Sequence, residues 1–304
     1  MKIAKTLKNN ESERPPDSID GVVDALPFAG RRSFLGNLGK ASLGAASALS
    51  FSELLSGQSR AAQTDSANQI FLAATVAEDL ATVFYFNGLT GPVIQDPALA
   101  GPSGTAISGT GNVPNVDYLR AAMAQEISHA NLLRAVGKLG STATSDPYQT
   151  FYFPAGTFDS LTPFIATLEA LEQAFIGAYL TAIREFSLLA ARATIQGVPN
   201  GPFGGPYSGA QLSYFAQVAA SILGIECEHR VLGMVITNTN QPNDRNFEQT
   251  DGLTSVYHGS GSAVTALTPF LTPSTGPGFT LSAALGGAAI VGLNALTGSN
   301  PPAQ

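Results

Sequence analysis

Glu126-Ile127-Ser128-His129 and Glu226-Cys227-Glu228-His229 are two copies of one pattern, Glu-x-x-His. Residues three apart on a helix share a face, so each copy presents a carboxylate and an imidazole side by side. The chain contains only three His, and two of them stand in this pattern. With so few Glu in 304 residues, a given His has a Glu three places before it by chance only about 4% of the time. The pair therefore calls for a structural explanation, and the surrounding sequence supplies one.

Each copy lies on a long stripe of apolar and small residues with helical period. Leu119, Ala122, Glu126, His129, Leu133 and Val136 recur at three- and four-residue steps over residues 115–139, where Gly140 stops the pattern. Phe215, Ala219, Ile222, Glu226, His229, Gly233 and Ile236 do the same over residues 208–237. Two further helical patterns precede these. Residues 64–89 carry the stripe Phe71, Thr75, Glu78, Thr82, Tyr85, Leu89. Residues 160–195 carry Ile165, Leu168, Glu172, Phe175, Tyr179, Phe186, with Ser160 as a cap and Pro163 tolerated in the first turn. Gly/Pro-rich connections separate the helices. Helices of about 25 residues span roughly 37 Å, the length of a large four-helix bundle.

An internal repeat organises the four. Glu78 and Tyr85 are seven apart on the first helix, as are Glu172 and Tyr179 on the third, and Glu-x-x-His falls on the second and fourth. The chain reads as two helical hairpins, each giving Glu and then Glu-x-x-His. Packed face to face, they build a site of four Glu and two His. Glu169, one turn before Glu172, is the alternative carboxylate on the third helix; the repeat favours Glu172. Glu228 and Asp79 point about 100° away from their neighbours in the set and are expected outside it. Tyr85 and Tyr179 read as core aromatics, Cys227 as a small buried residue, and His258, in a Gly/Ser-rich context, as a surface residue.

The segments Ala77-Glu78-Asp79-Leu80-Ala81-Thr82-Val83-Phe84-Tyr85, Leu171-Glu172-Gln173-Ala174-Phe175 and Ile225-Glu226-Cys227-Glu228-His229 resemble exported ferritin-like domain proteins, a group that includes plant desiccation-related proteins. The resemblance covers about residues 64–238. It implies an all-α, ferritin-like four-helix bundle over residues 61–238 with Glu78, Glu126, His129, Glu172, Glu226 and His229 as metal ligands. It also implies a part in oxidative or desiccation stress protection, acting on peroxide, dioxygen or metal ions. The activity would be manganese-catalase-like or ferroxidase-like, the alternative being a non-catalytic protein that keeps the bundle for a structural or interaction role.

Charge leads to the same cofactor. An inward carboxylate costs several kcal/mol unless neutralised or paired, and four converging on one core need compensation. Two divalent ions offset four carboxylates, and two neutral imidazoles add ligands without charge. An oxygen-dominated donor set suits iron or manganese over thiolate-preferring metals.

Composition removes other classes. With 22 acidic against 15 basic side chains and no dense basic stripe, nucleic-acid binding is not expected. A single Cys rules out an intramolecular disulfide framework. Residues 1–60 read as an address: Gly30-Arg31-Arg32-Ser33-Phe34-Leu35-Gly36 opens a weakly apolar run and resembles a twin-arginine export signal, which carries folded proteins to the periplasm or outside the cell. That run is too Gly- and Ser-rich for a stable membrane span. Residues 239–304 form a Gly/Pro-rich irregular C-terminal extension ending in an apolar run over residues 281–296. It reads as a strap or short helix packed on the bundle, closing one end or contacting a second subunit in a homodimer.

Overall fold

In the computed structural model, the described residues are 65–100, 114–137, 139, 142–196, 205–237, 257, 261–273, 277–288 and 291. The segment read as an export signal, with Arg31 and Arg32, and the residue His258 lie outside them. Four long helices dominate: α1 (Ala67–Thr90), α2 (Pro114–Val136), α3 (Leu161–Gln196) and α4 (Gly209–Thr237). Each begins and ends within about three residues of the span expected from periodicity.

Local signals account for their starts. Ser66 caps α1 reciprocally with Gln69: the Gln69 backbone N–H donates to Ser66 Oγ at 3.3 Å, and the Ser66 N–H donates to Gln69 Oε1 at 2.8 Å. Ser208 and Gln211 repeat this box at the start of α4, at 3.2 and 2.9 Å. The two capping boxes hold orphan N–H groups at the starts of α1 and α4.

Side-chain contacts give the topology. The end of α2 meets the start of α1, where Gly137 lies so close to Phe71 that an added Cβ would stand 2.7 Å from its ring. Phe84, late in α1, stacks on Phe164 at the start of α3, with centroids 4.8 Å apart and planes at 3°. Phe71, early in α1, meets Phe186 late in α3 at 5.1 Å and Phe215 early in α4 at 4.9 Å. Thus α1 and α4 run one way, α2 and α3 the other. Two antiparallel hairpins are joined by one long crossover, residues 137–160, as ferritin-like folds are. The fold class is the all-α four-helix bundle expected from the four stripes.

The crossover carries structure that helical periodicity does not reveal. Its strand β1 (Thr150–Tyr152) pairs antiparallel with β2 (Gly278–Thr280), with Phe151 opposite Phe279. Three-residue strands are too short to announce themselves by alternation. Two short helices flank β2: α5 (Ser262–Leu271) and α6 (Leu281–Gly287). The described part of the apolar run after residue 280 is therefore a short helix, and Phe86 of α1 lies against its Gly287.

The core is two apolar lobes. One gathers Phe84, Phe153, Phe158, Phe164 and Phe270, and the other Phe71, Phe186, Tyr207, Leu212 and Phe215. Between them lies a layer of buried carboxylates. Two helices, Ala67–Thr90 and Leu161–Thr194, are long and apolar enough to cross a membrane by length and composition, and both are mostly buried within the bundle.

Glu185, near the end of α3, is 2% exposed. Burial and the neighbouring charge of Asp65 push its carboxyl up to about 8. A carboxyl raised on folding stabilises fully below its unfolded value and loses that contribution as pH rises through its folded one. Stability in urea should therefore decline from about pH 4.5 to about pH 8. In Glu185→Gln this component of the slope disappears, leaving a flatter profile.

Candidate metal centre

All six residues singled out from the sequence meet in the layer between the lobes. Glu126 and Glu226 are fully buried, and Glu172 and Glu78 nearly so. Their donor atoms form two overlapping groups, Glu78, Glu126, His129 and Glu226, and Glu126, Glu172, Glu226 and His229. Within each group the donor atoms all lie within 4.8 Å of one another. Glu126 and Glu226 belong to both, which makes the arrangement twofold: a Glu and a His at each end, and two shared carboxylates in the middle.

The imidazoles face inward by Nδ1. His129 Nδ1 is 3.2 Å from Glu78 Oε2 and 3.5 Å from both Glu126 Oε2 and Glu226 Oε1. His229 Nδ1 is 3.0 Å from Glu126 Oε1, 3.6 Å from Glu226 Oε2 and 3.8 Å from Glu172 Oε1. The other nitrogen of His229, Nε2, donates to Gln125 Oε1 at 2.9 Å. That bond fixes the ring and directs Nδ1 at the carboxylates. The His229 ring also meets the Tyr85 ring edge-on at 5.8 Å.

The tyrosines do more than fill the core. Tyr85 donates from its hydroxyl to Glu172 Oε1 at 2.5 Å, and Tyr179 donates to Glu78 Oε1. Each helix of the α1/α3 pair therefore holds the other's carboxylate. A long side chain on a helix leans toward the helix N-terminus, so a tyrosine two turns beyond its own Glu reaches back to the level of the Glu opposite. The seven-residue Glu-to-Tyr spacing, present in both halves, was the signal; the crossing between antiparallel helices was not in it.

Electrostatics show how much charge is concentrated here. Burial pushes Glu126, Glu172 and Glu226 above the usual carboxylate range, and their carboxylate neighbours push the same way. Burial works against a charged imidazole, yet Glu78 and Glu126 hold His129 up to about 11. Glu126, Glu226 and Glu172 hold His229 up to about 12 against the same penalty. Burial and then the nearest carboxylate keep both tyrosine hydroxyls protonated, Glu172 for Tyr85 and Glu78 for Tyr179.

Both oxygens of Glu126, both of Glu226, Glu172 Oε2 and His229 Nδ1 are buried without a hydrogen-bond donor or acceptor of acceptable geometry. Buried polar atoms of native proteins are nearly always satisfied. These atoms point at one another in a confined space, an arrangement suited to cations between them. The donor set fits a pair of divalent ions.

The remaining candidates separate clearly. Glu172 stands in the cluster and Glu169 does not; Glu169 is buried on α3 beside Gly233 of α4. Glu228 is exposed, and Cys227 is partly exposed rather than buried. Asp79 is buried next to the cluster, where Arg134 Nη2 donates to its Oδ1 at 2.5 Å. The same guanidinium donates from Nε to Asp146 Oδ2 at 2.7 Å, tying α1 and α2 to the start of the crossover. Nothing in the linear spacing of Asp79, Arg134 and Asp146 pointed to this bridge. Removing the cation leaves two buried carboxylates facing each other, so Arg134→Ala should cost about 3–5 kcal/mol in urea unfolding. Adding Asp79→Asn to that variant should recover part of the loss.

Residues 66–199 match the family model of the ferritin-like domain. No curated protein and no solved structure matches the chain. The matched segment holds α1, α2 and α3, with Glu78, Glu126, His129 and Glu172; the fourth helix, with Glu226 and His229, lies beyond it. The chain folds as an all-α bundle around a buried Glu/His cluster, and over residues 66–199 it is similar to the ferritin-like domain.

Proposed function

We propose that this chain is an exported protein that holds two divalent metal ions, iron or manganese, and uses them on peroxide, dioxygen or the metal ions themselves. The observation that carries the reading is the set of buried donor atoms without hydrogen bonds, contributed by α2, α3 and α4 and completed by Glu78 of α1. Glu78 and His129 would hold one ion, Glu172 and His229 the other, and Glu126 and Glu226 would span both. When bound, such ions supply redox equivalents and a Lewis-acidic place for small oxygen species.

The chain's own residues prepare that place. Tyr85 and Tyr179 orient the two terminal carboxylates and keep one oxygen of each engaged. Gln125 holds His229 by its far nitrogen. The apolar lobes exclude water, which strengthens every electrostatic interaction inside. Three further points of the reading rest on sequence. The layout around Arg31 and Arg32 supports export in the folded state, the likeness to desiccation-related proteins supports a part in oxidative or desiccation stress, and the scarcity of Cys suits an oxygen-donor site.

Elemental analysis of protein loaded with iron or manganese tests this directly. Wild type should carry about two ions per chain and the double variant Glu126→Ala/Glu226→Ala close to none. Loaded wild type without metal would sink the reading. Metal retained with neither peroxide breakdown nor ferrous oxidation would point instead to a structural or interaction role.

The tyrosines give a finer test. Tyr179→Phe leaves Glu78 without its donor and should weaken the binding of one ion by about 10–100-fold, with the other unaffected. Metal titration should then resolve two unequal steps, and Tyr85→Phe should weaken the Glu172 position in the same way.

A further inference from the structure

The repeat is broken beside the cluster, and the break makes a groove. Phe84 lies six residues after Glu78; six residues after Glu172 stands Ala178. Phe164 lies eight residues before Glu172; eight residues before Glu78 stands Ile70. On one side of the cluster, Phe84 and Phe164 stack and close the seam between α1 and α3. On the other side, the equivalent pair is Ala178 and Ile70, and among the described residues the seam is open there as a groove with room for about 30 Å³.

The groove lies against the shell of the cluster, and none of the six cluster residues lines it. Its wall is built from Ile70, Ala74 and Ala77 of α1, Ala178 and Ala182 of α3, and Leu267 of α5. It reaches Tyr179, whose hydroxyl donates to Glu78, and Ala77, the residue before Glu78. The Glu78 half is also the more open half by a second measure: the His129 side chain is 13% exposed and that of His229 5%.

Resting on the dimetal reading, we propose that this groove is the path by which a small uncharged molecule of the dioxygen class reaches the Glu78–His129 half of the centre. Carbon dominates the lining, which suits a nonpolar diatomic better than an ion or a strongly hydrated molecule. Two acidic residues, Asp65 and Glu185, also stand on the wall. Both oxygens of Asp65 accept the Gly261 N–H, at 3.1 and 3.0 Å. Burial and the charge of Asp65 push the Glu185 carboxyl up to about 8. Gly261 takes a φ of 71°, in the left-handed region that favours glycine, and its N–H reaches Asp65 from the start of α5. Thr181 on α3 exchanges hydrogen bonds with the backbone of Tyr257, at 3.1 Å each way. These contacts pin α5 along the groove as its outer wall.

Ala178→Phe places on α3 the side chain that α1 carries at the equivalent position, and Ala74→Phe fills the groove from the opposite wall. Both alanines are partly exposed, so the added ring displaces groove space rather than packed core. Two measurements on the full chain decide the matter. Crystals of metal-free protein under xenon pressure should show xenon in the groove of wild type and none in Ala178→Phe. In iron-loaded protein, stopped-flow reaction with dissolved dioxygen should slow about tenfold or more in both variants, at unchanged metal content. Wild-type crystals without xenon in the groove, or dioxygen rates equal to wild type in both variants, would overturn the proposal. Failure of the dimetal reading shows separately, as loaded wild type without metal, because the xenon measurement needs none.

Discussion

Four carboxylates buried between two apolar lobes must be offset by positive charge, and the rest of the bundle is arranged around that demand. Water cannot reach Glu126 or Glu226, which are fully buried. Their neighbours must therefore do what a hydration shell does elsewhere. The two imidazoles take part of that role, pushed toward their charged form by the carboxylates that surround them. The donors that remain open face one another, so cations added between them complete the layer rather than disturb it.

That demand also explains the tyrosines and the helix directions. A carboxylate kept in place by one donated hydrogen bond retains its second oxygen for another partner. Tyr85 and Tyr179 supply such bonds across the bundle, each to the other helix's Glu, because α1 and α3 are antiparallel. The long crossover over residues 137–160 makes that direction possible. Arg134 secures its beginning through Asp79 and Asp146, and the β1–β2 ladder fastens its middle to the C-terminal segment. The twofold layout takes in the ligand-like residues and the two tyrosines. It stops at Phe84 and Ala178, where one half is sealed and the other open.

Much of the fold was legible because it rests on period. The stripes through Glu78, Glu126, Glu172 and Glu226 located the four helices within a few residues, and nearly every stripe position is buried. The six-residue cluster was legible for a related reason: a Glu or a His on an inward stripe is costly, and four such stripes repeat the same anomaly. The choice of Glu172 over Glu169 came from the repeat as well, and the geometry of the cluster agrees with it. What period does not encode stayed hidden. Strands β1 and β2 are three residues long and lie far apart in the chain. Helix α5 lies in a segment whose Gly/Thr/Ser-rich neighbours masked a ten-residue apolar helix.

The sequence by itself determined the four helices, their inward faces and the set of residues that converge between them, because these depend only on side-chain spacing within one helix. Tertiary structure alone decided which partner each of those residues meets. Gln125 opposite His229, Tyr179 opposite Glu78 and Arg134 between two aspartates are contacts between elements, fixed by helix direction and crossover rather than by spacing. The groove beside Ala178 is of that kind too. An alanine looks the same in any helix, and only the helix packed against it decides whether its small size is filled or left open.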